Sequence, residues 1–349
     1  MSKSAFFFRC NRAYEVKLDA ESKTTFLNSL VKIGQGFQEV FGFFGNAIGD
    51  ALGLTAVKSG DKRSKVGEHF EKIKKGLGDT NNKLKALSGE ISNAKNANSS
   101  TIESVKSAIN SSSDAFDKLI DSLTNLAGVT NDGNPIGDSS AGNAVAADKD
   151  SVETVIKEVR NIIGTAEKSG VKIESGDAGG EVAKGAATAP AIINATGAAG
   201  QGAGPKLAEE VAKADPWAII NKIKNATINT AQLNGDNNDA GVLATGANVG
   251  DANGAKAATN ADLAAAVALK AMIKDGKLSA NAAANDAEAV KAAAVTAVNK
   301  VLGILDLIIR KTVVSNLDKI RETVKGIQYS EITTETTEAS TTTQPTAAK

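Results

Sequence analysis

The stretch that decides the fold is NDAEAVKAAAVTAVNKVLGILDLIIRKTVVSNLDKIRETVKGI, residues 285–327. Its apolar residues recur at steps of three and four, which places them along one side of a helix. They are Val290, Ala294, Val298, Leu302, Leu305, Ile309, Val313, Leu317, Ile320, Val324 and Ile327. No proline lies between Pro216 and Pro345, so nothing in this window forces a break. The pattern predicts one long amphipathic helix, which must bury its apolar side on other helices.

Composition argues against several classes of protein. Lys plus Arg equal Asp plus Glu, at 40 each, so no net charge attracts the chain to nucleic acid. Aromatic residues make up 4% of the chain, which argues against a β-sandwich or barrel. One histidine, His69, and one cysteine, Cys10, provide neither an intrachain disulfide nor a His/Cys metal site. We expect no cofactor, no metal and no catalytic constellation, and interpret the chain as a non-enzyme.

A second long helix is predicted near the N-terminus, over residues 26–52. Eight of the ten phenylalanines precede residue 45, and from Phe26 onward the apolar residues have helical spacing. An aromatic stripe of this kind belongs more often to a core than to a binding surface. We therefore expect it to pack against the C-terminal helix.

Shorter helices are predicted between these two. Helical periodicity covers residues 61–88, 101–126, 151–166, 205–213 and a segment that begins at Asp215. In the helix over 61–88 we expect Arg63 and the nearby lysines to form a solvated face. We place His69 at the surface or at a helix interface, because no second histidine could share a metal with it.

Three polar stretches separate the helices, at residues 128–150, 169–204 and 225–260, and are rich in Gly, Asn, Asp and Ala. We interpret them as loops gathered at one end of the bundle. Residues 200–206 lack the spacing of a phosphate-binding loop. Residues 236–241 begin like a calcium loop but lack its final glutamate. Neither segment is predicted to bind a ligand.

The two termini differ from the centre in composition. Residues 1–24 contain Phe6-Phe7-Phe8 followed by Arg9, an apolar run shorter than the roughly 7–15 residues of a signal peptide. Residues 329–349 include eight threonines and few apolar residues. We expect both segments to be disordered and to flank one helical domain over 25–328. No stretch reaches the roughly 20 apolar residues of a membrane span.

Four segments together resemble the variable large proteins, outer-surface lipoproteins of relapsing-fever Borrelia that are similar to the VlsE surface antigen of Lyme spirochaetes. They are FLNSLVKIGQGF at 26–37, VGEHFEKIKK at 66–75, PKLAEEVAKADPWAII at 205–220 and ADLAAAVALKAMIKDGKL at 261–278. The resemblance extends from about residue 25 to residue 327. None of the four segments is a catalytic motif.

The resemblance implies an all-α fold, an elongated bundle with long N- and C-terminal helices and polar loops at the membrane-distal end. It also implies that residues 261–278 are largely buried under variable segments, as the matching invariant region is in the VlsE relative. The spacing of Ala264, Val267, Ala268, Ala271 and Met272 independently favours a buried helix face.

The resemblance further implies an antigenically variable lipoprotein of the outer membrane, which evades host antibody when cells switch between family members. The family carries its lipid on a cysteine that follows a hydrophobic signal and small residues. Cys10 is the candidate for lipid attachment, although Phe7-Phe8-Arg9 precedes it. The expected partners are the membrane, through this anchor, and host antibodies.

A second function remains open at this point. The basic residues Lys62-Arg63 and those within 72–75 favour an adhesin that binds host glycans or cells, and salt-sensitive binding to heparin would distinguish it. Nucleic acid is not an expected partner. The sequence leaves open whether the protein forms a homodimer.

Overall fold

The computed structural model describes residues 3–49, 56–233, 236 and 238–330, and gives the backbone alone for 3–15, 46–49 and 284. Within these ranges the chain forms ten helices and two short strands. The helices are α1 Lys3–Gly49, α2 Ser64–Ser92, α3 Ser99–Val129, α4 Lys149–Lys168, α5 Ala189–Asn194, α6 Ala203–Lys213, α7 Pro216–Asn225, α8 Ala240–Thr245, α9 Asn260–Met272 and α10 Ala284–Lys325. Strands β1 Ser139–Ser140 and β2 Leu278–Ser279 pair in parallel. The all-α prediction is confirmed.

The long C-terminal helix α10 runs through the core. It contains 42 residues, a length of about 63 Å at about 1.5 Å per residue. It packs against α3, α4, α6, α7 and α9. The predicted apolar stripe is buried from Val290 to Ile320, and Val324 is half-buried. The prediction of one long helix that buries a stripe is therefore correct.

By length and composition α10 could also cross a membrane, and among the described residues it is the one helix that passes this test. The sequence analysis predicted no such segment. The apolar residues of α10 are accounted for by the bundle, because 56% of its most apolar window is buried inside the protein. We therefore describe α10 as a core helix.

The N-terminal helix α1 packs mainly against α2 and has few contacts with α10, so the expectation that it would pack on the C-terminal helix is wrong. Its buried residues are Phe26, Ile33, Phe37, Val40 and Phe44. Their spacing alternates between three, four and seven residues, which is the narrow seam of a coiled-coil-like pair rather than a broad core face. One such seam is covered by a single neighbouring helix.

The helix α1 begins at Lys3, whereas the sequence analysis expected disorder before residue 25. The chain contains no glycine or proline before Gly34, so no residue in this segment interrupts a helix. The structure therefore corrects the expected state of residues 3–24. The division of the chain at residues 25 and 328 stays a prediction.

At one end of the bundle, which we call the base, α1 meets the chain that follows α10. The ring of Tyr329 lies edge-on to Phe26 with 5.6 Å between ring centroids, and its hydroxyl donates to Asp19 over 3.2 Å. The backbone N–H of Ser330 donates to the carbonyl of Asn96, in the α2–α3 turn, over 2.9 Å. The base therefore joins the middle of α1 and the α2–α3 turn to the C-terminal end of the described chain.

These contacts correct part of one expectation. Tyr329 and Ser330 are held at the base, although the sequence analysis placed them in a disordered tail. The threonine-rich residues 331–349 lie outside the described residues.

His69 lies at the interface between α2 and α10, the second of its two expected positions. Its Nε2 lies 3.0 and 3.1 Å from the carboxylate oxygens of Asp306, and both side chains are 6% exposed. Burial raises the pKa of Asp306, and the hydrogen bond from His69 opposes this effect. The pair therefore supplies the partner that a buried carboxylate requires.

Replacement of His69 by alanine should destabilise the protein, because it leaves the buried Asp306 without its partner. We expect a loss of about 3 kcal/mol in the free energy of unfolding, measured by urea denaturation at neutral pH. Lys65→Ala is the matched control, since Lys65 pairs with Glu68 on the exposed side of the same helix. The Lys65→Ala variant should lose less than about 1 kcal/mol in the free energy of unfolding. Equal losses in the two variants would contradict the role given to the buried pair.

Candidate functional site at the loop end

The end of the bundle opposite the base is where the polar stretches gather. Asp286, in the first turn of α10, accepts hydrogen bonds from the backbone N–H groups of Gly202 and Gly204, over 3.0 and 2.9 Å. At the start of α2, the N–H of Arg63 donates to the carbonyl of Asn134 over 2.9 Å. We call this region the loop end, formed by residues 131–148, 172–202, 226–233, 236, 238–259 and 273–283.

The loop end is more ordered than the sequence analysis expected. Two six-residue helices, α5 and α8, form within the polar stretches. Many alanines of the loop end are buried, with exposed fractions of 2% or less: Ala144, Ala189, Ala191, Ala195, Ala199, Ala240, Ala244, Ala255 and Ala257. Small side chains allow these backbone segments to approach one another closely, so the polar stretches build a second core.

Apart from Val145, which is 44% exposed, the outer surface of the loop end carries mainly small or polar side chains. Those exposed to solvent include Ser175, Ala183, Lys184, Ala198, Gln201, Thr230 and Gln232. None of them belongs to the apolar core. Substitution at exposed positions of this kind typically changes the free energy of unfolding by less than about 0.5 kcal/mol. This surface is therefore able to vary without loss of the fold.

The helix α9 lies beneath these loops, and each of its 13 residues is buried. It packs against α6, α7, α8 and α10. The sequence analysis predicted one buried face, and the structure confirms it but buries the opposite side as well, including Asp262 and Lys270. A helix covered on all sides requires partners for its polar residues.

At the N-terminal end of α9, Asp262 has several partners. Thr259 Oγ1 donates to its Oδ2 over 2.6 Å, and Lys222 of α7 pairs with the same oxygen at 2.9 Å. The N–H of Ala240, at the start of α8, donates to Oδ1 over 3.3 Å. A carboxylate also suits the positive end of a helix dipole. Asp262 therefore connects α9 to α7 and α8.

At the C-terminal end of α9, Arg63 is the residue that holds the chain. Its Nε donates to the carbonyl of Ala271 over 3.2 Å, and its Nη2 donates to the carbonyl of Gly276. Its Nη1 pairs with Asp132 at 2.7 Å. Burial acts to raise the pKa of Asp132, but the bonds from Arg63 and Asn134 outweigh it, so this pKa lies below its usual value.

The position of Arg63 corrects the expectation of a solvated basic face, because its side chain is 1% exposed. Nearby, Lys74 pairs with Glu71 at 2.5 Å and Lys75 with Asp79 at 2.6 Å. The residues proposed for glycan binding therefore do not form one free basic surface. The sequence analysis missed the role of Arg63 in holding the C-terminal end of α9. Arg63 precedes α2, so helical spacing does not indicate which way its side chain points.

Lys270 is completely buried in α9, and its Nζ donates to the carbonyl of Ile193 in α5. Burial lowers the pKa of Lys270 to about 7. An amine that is taken out of water without a carboxylate partner is easier to deprotonate. The helical spacing of the sequence did not indicate this position, since lysine on a helix is ordinarily solvated.

The two motif-like segments have structural roles. Gly202, the residue before α6, has a φ of +86°, and the carboxylate of Asp286 accepts hydrogen bonds from the N–H groups of Gly202 and Gly204, which a phosphate would need. Asp239 caps α8 by accepting from the N–H groups of Gly241 and Val242 over 2.8 and 3.0 Å. Among the described residues, no group of three His, Cys, Asp or Glu side chains is arranged to hold a metal ion.

Cys10, the candidate for lipid attachment, lies within α1. Its side chain is outside the described residues.

The lowered pKa of Lys270 predicts how stability depends on pH. Between about pH 7 and 10.5 the unfolded chain holds a proton that the folded chain lacks, so this lysine makes stability rise with pH. Lys270→Met should remove that contribution. The free energy of unfolding is measured by urea titration at about pH 7.5 and again at about pH 9.5. Between these pH values the stability of the variant, relative to that of the native protein, should fall by about 2 kcal/mol. Lys184→Met, at an exposed lysine, is the control and should keep the native slope, whereas an unchanged slope in Lys270→Met would contradict the assignment.

Comparison with known proteins agrees with this architecture. The family model described as Borrelia lipoprotein matches residues 37–324. Variable large protein 14 of Borrelia hermsii is 62% identical over 337 residues, covering 95% of this chain and 93% of that protein. Variable large protein 12 of the same organism is 57% identical over 333 residues, covering 95% and 92%.

Among solved structures, the chain is similar to the Lyme disease variable surface antigen VlsE of Borrelia burgdorferi. The TM-score is 0.68 with 26% sequence identity, and the match covers 85% of this chain and 98% of VlsE. The family match and the long, highly identical alignments agree with the helical fold described above. The chain therefore belongs to the Borrelia lipoprotein family, among its variable large proteins.

Proposed function

We propose that this protein is an antigenically variable surface lipoprotein, which presents its loop end to host antibody and evades it when another family member replaces it. One observation carries the proposal: the side chains that face outward at the loop end are separate from the core that holds the fold. Its relatives are named variable large proteins and a variable surface antigen, which supports the same function. The role is non-catalytic.

This separation has an energetic basis. Exposed positions such as Gln201 and Thr230 tolerate substitution at a cost of less than about 0.5 kcal/mol. Truncation of a buried leucine such as Leu263 or Leu269 to alanine costs about 2–5 kcal/mol. Selection by antibody acts on the first group, whereas selection for folding acts on the second. The loop end thus changes its chemical surface while α9 and α10 keep their packing.

We also propose that the base faces the outer membrane. Asp19 of α1 meets Tyr329 there, and α1 extends for 16 further residues beyond Asp19, back to Lys3, about 24 Å of helix. Val16 and Leu18 in this part are 66% and 45% exposed, so the helix is not covered by the bundle here. This helix would connect the bundle to a lipid at Cys10.

Proteolysis of intact cells tests the orientation. Brief treatment with a nonspecific protease should cut within 128–150, 169–204 and 225–260, while peptides from α9 and α10 stay intact because they are buried. The released peptides are identified by mass spectrometry, and a periplasmic protein of the same cells serves as the control for leakage. Cleavage that occurs after lysis but not in intact cells would contradict surface display.

Lipid attachment predicts a membrane-bound protein with a modified Cys10. Its intact mass, measured on protein from native membranes, should exceed that of the polypeptide by the attached acyl chains. Cys10→Ser should move the protein into the soluble fraction, because it removes the thiol to which the lipid is attached and stable anchoring depends on the acyl chains. Asn11→Ser is the matched control and should stay in the membrane. An unmodified Cys10 in membrane-derived protein would refute this attachment site.

A further inference from the structure

Residues 172–184 cross the outside of the loop end, and we call them the strap. They form no helix, and their one strand-like contact is the bridge between Val182 and Ala257. None of the 13 is buried: Ile173, Ala178 and Val182 are half-buried, and the others are exposed. Because hydrophobic stabilisation scales with the apolar area removed from water, the strap gains little from this source.

Backbone hydrogen bonds attach the strap to the N-terminal end of α9. The N–H of Ala261 donates to the carbonyl of Ala178 over 2.9 Å, and the N–H of Asn260 donates to the carbonyl of Gly180 over 2.7 Å. These donors lie in the first turn of the helix, where no intrahelical acceptor exists. The strap therefore satisfies two N–H groups that would otherwise be buried without partners.

A second set of hydrogen bonds attaches the strap to α7. The side chain of Asn221 donates to the carbonyls of Glu174 and Ser175 over 2.8 and 2.9 Å. The N–H of Asp177 donates to the carboxylate of Asp215, the N-cap of α7, over 3.2 Å. The attachment is thus polar on both helices.

Two adjacent glycines fit the strap to α9 in different ways. Gly179 has a φ of +69°, and a Cβ on it would lie 2.8 Å from the Cβ of Asn260. Gly180 has no heavy atom within 4 Å of the same added Cβ. A methyl group at Gly179 therefore forces the strap away from α9, whereas one at Gly180 does not.

The strap has fixed points at both ends. On the α4 side, Gly170 has a φ of +89° and Val171 is buried. On the other side, the N–H of Gly185 donates to the carbonyl of Asn253 over 3.0 Å.

Between these points Glu181 pairs with Lys256, and Val182 and Ala257 exchange two backbone hydrogen bonds. Because these contacts are polar and little apolar area is buried, the strap opens at a lower free energy than the helices beneath it.

We propose that the strap opens as one unit, about residues 170–171 and 185, while the helices stay folded, and that opening uncovers the first turn of α9. The inference goes beyond display of the loop end, since the protein then has two surfaces. The closed one hides α9 completely. The open one presents Asn260 and Ala261 without unfolding the core.

Amide hydrogen exchange of the native protein, followed by NMR, tests this directly. The N–H groups of Asn260, Ala261 and Val182 all take part in hydrogen bonds between the strap and the rest of the protein. They should therefore exchange with one common opening free energy. Their exchange should be roughly 100-fold faster than that of residues 265–269 in the interior of α9. Equal protection of both groups would overturn the proposal, because α9 would then be released by unfolding alone.

The matched variants Gly179→Ala and Gly180→Ala separate strap opening from general instability. Gly179→Ala should speed exchange at Asn260 and Ala261 by about 10-fold, equivalent to about 1.4 kcal/mol, with α10 unchanged. Trypsin should then cut faster after Lys172 and Lys184. Gly180→Ala should match the native protein in both assays. Identical behaviour of the two variants, or faster exchange throughout α10 in Gly179→Ala, would refute an independently opening strap.

Discussion

The structure depends on the need to bury an apolar stripe along about 63 Å of α10. Among the described helices, none packs along the whole length of α10. The longer helices α3 and α4 cover the half towards the base, where Ser112 and Ser169 approach Asn316. The shorter α6, α7 and α9 cover the other half, where Lys300 donates to three carbonyls at the end of α6. One helix thus supports two kinds of architecture, a bundle of long helices towards the base and a cluster of short segments towards the loop end.

Polar interactions hold together the half of the protein towards the loop end, because its short segments have small apolar faces. Arg63, Asp262 and Lys270 are all buried around α9, and each bonds to a carbonyl, a backbone N–H or an opposite charge. Such contacts are directional, so they fix how the segments lie. This division explains why the outer side chains are free to differ: the loops are held mainly by their backbones and by buried residues.

The sequence predicted the parts of the fold that rest on periodicity. Helices α2, α3, α4 and α10 have repeating apolar residues, and all four were found. Six-residue helices such as α5 contain too few residues to show a period, and their alanines suit a loop as well as a core. The partner of α1 was mispredicted because spacing shows that a stripe is buried but not by which neighbour. The burial of Arg63 depends on carbonyls about 200 residues away, which no local pattern contains.

The contacts at the base have a consequence for the order of folding. Asp19 of α1 bonds to Tyr329, which follows α10, so the base is completed only by the last part of the described chain. A chain that still lacks α10 exposes the inner faces of α3, α6 and α9 and cannot close its base. Contacts between residues so far apart in sequence also form slowly. The nascent polypeptide therefore cannot complete its core until its final helix has been synthesised.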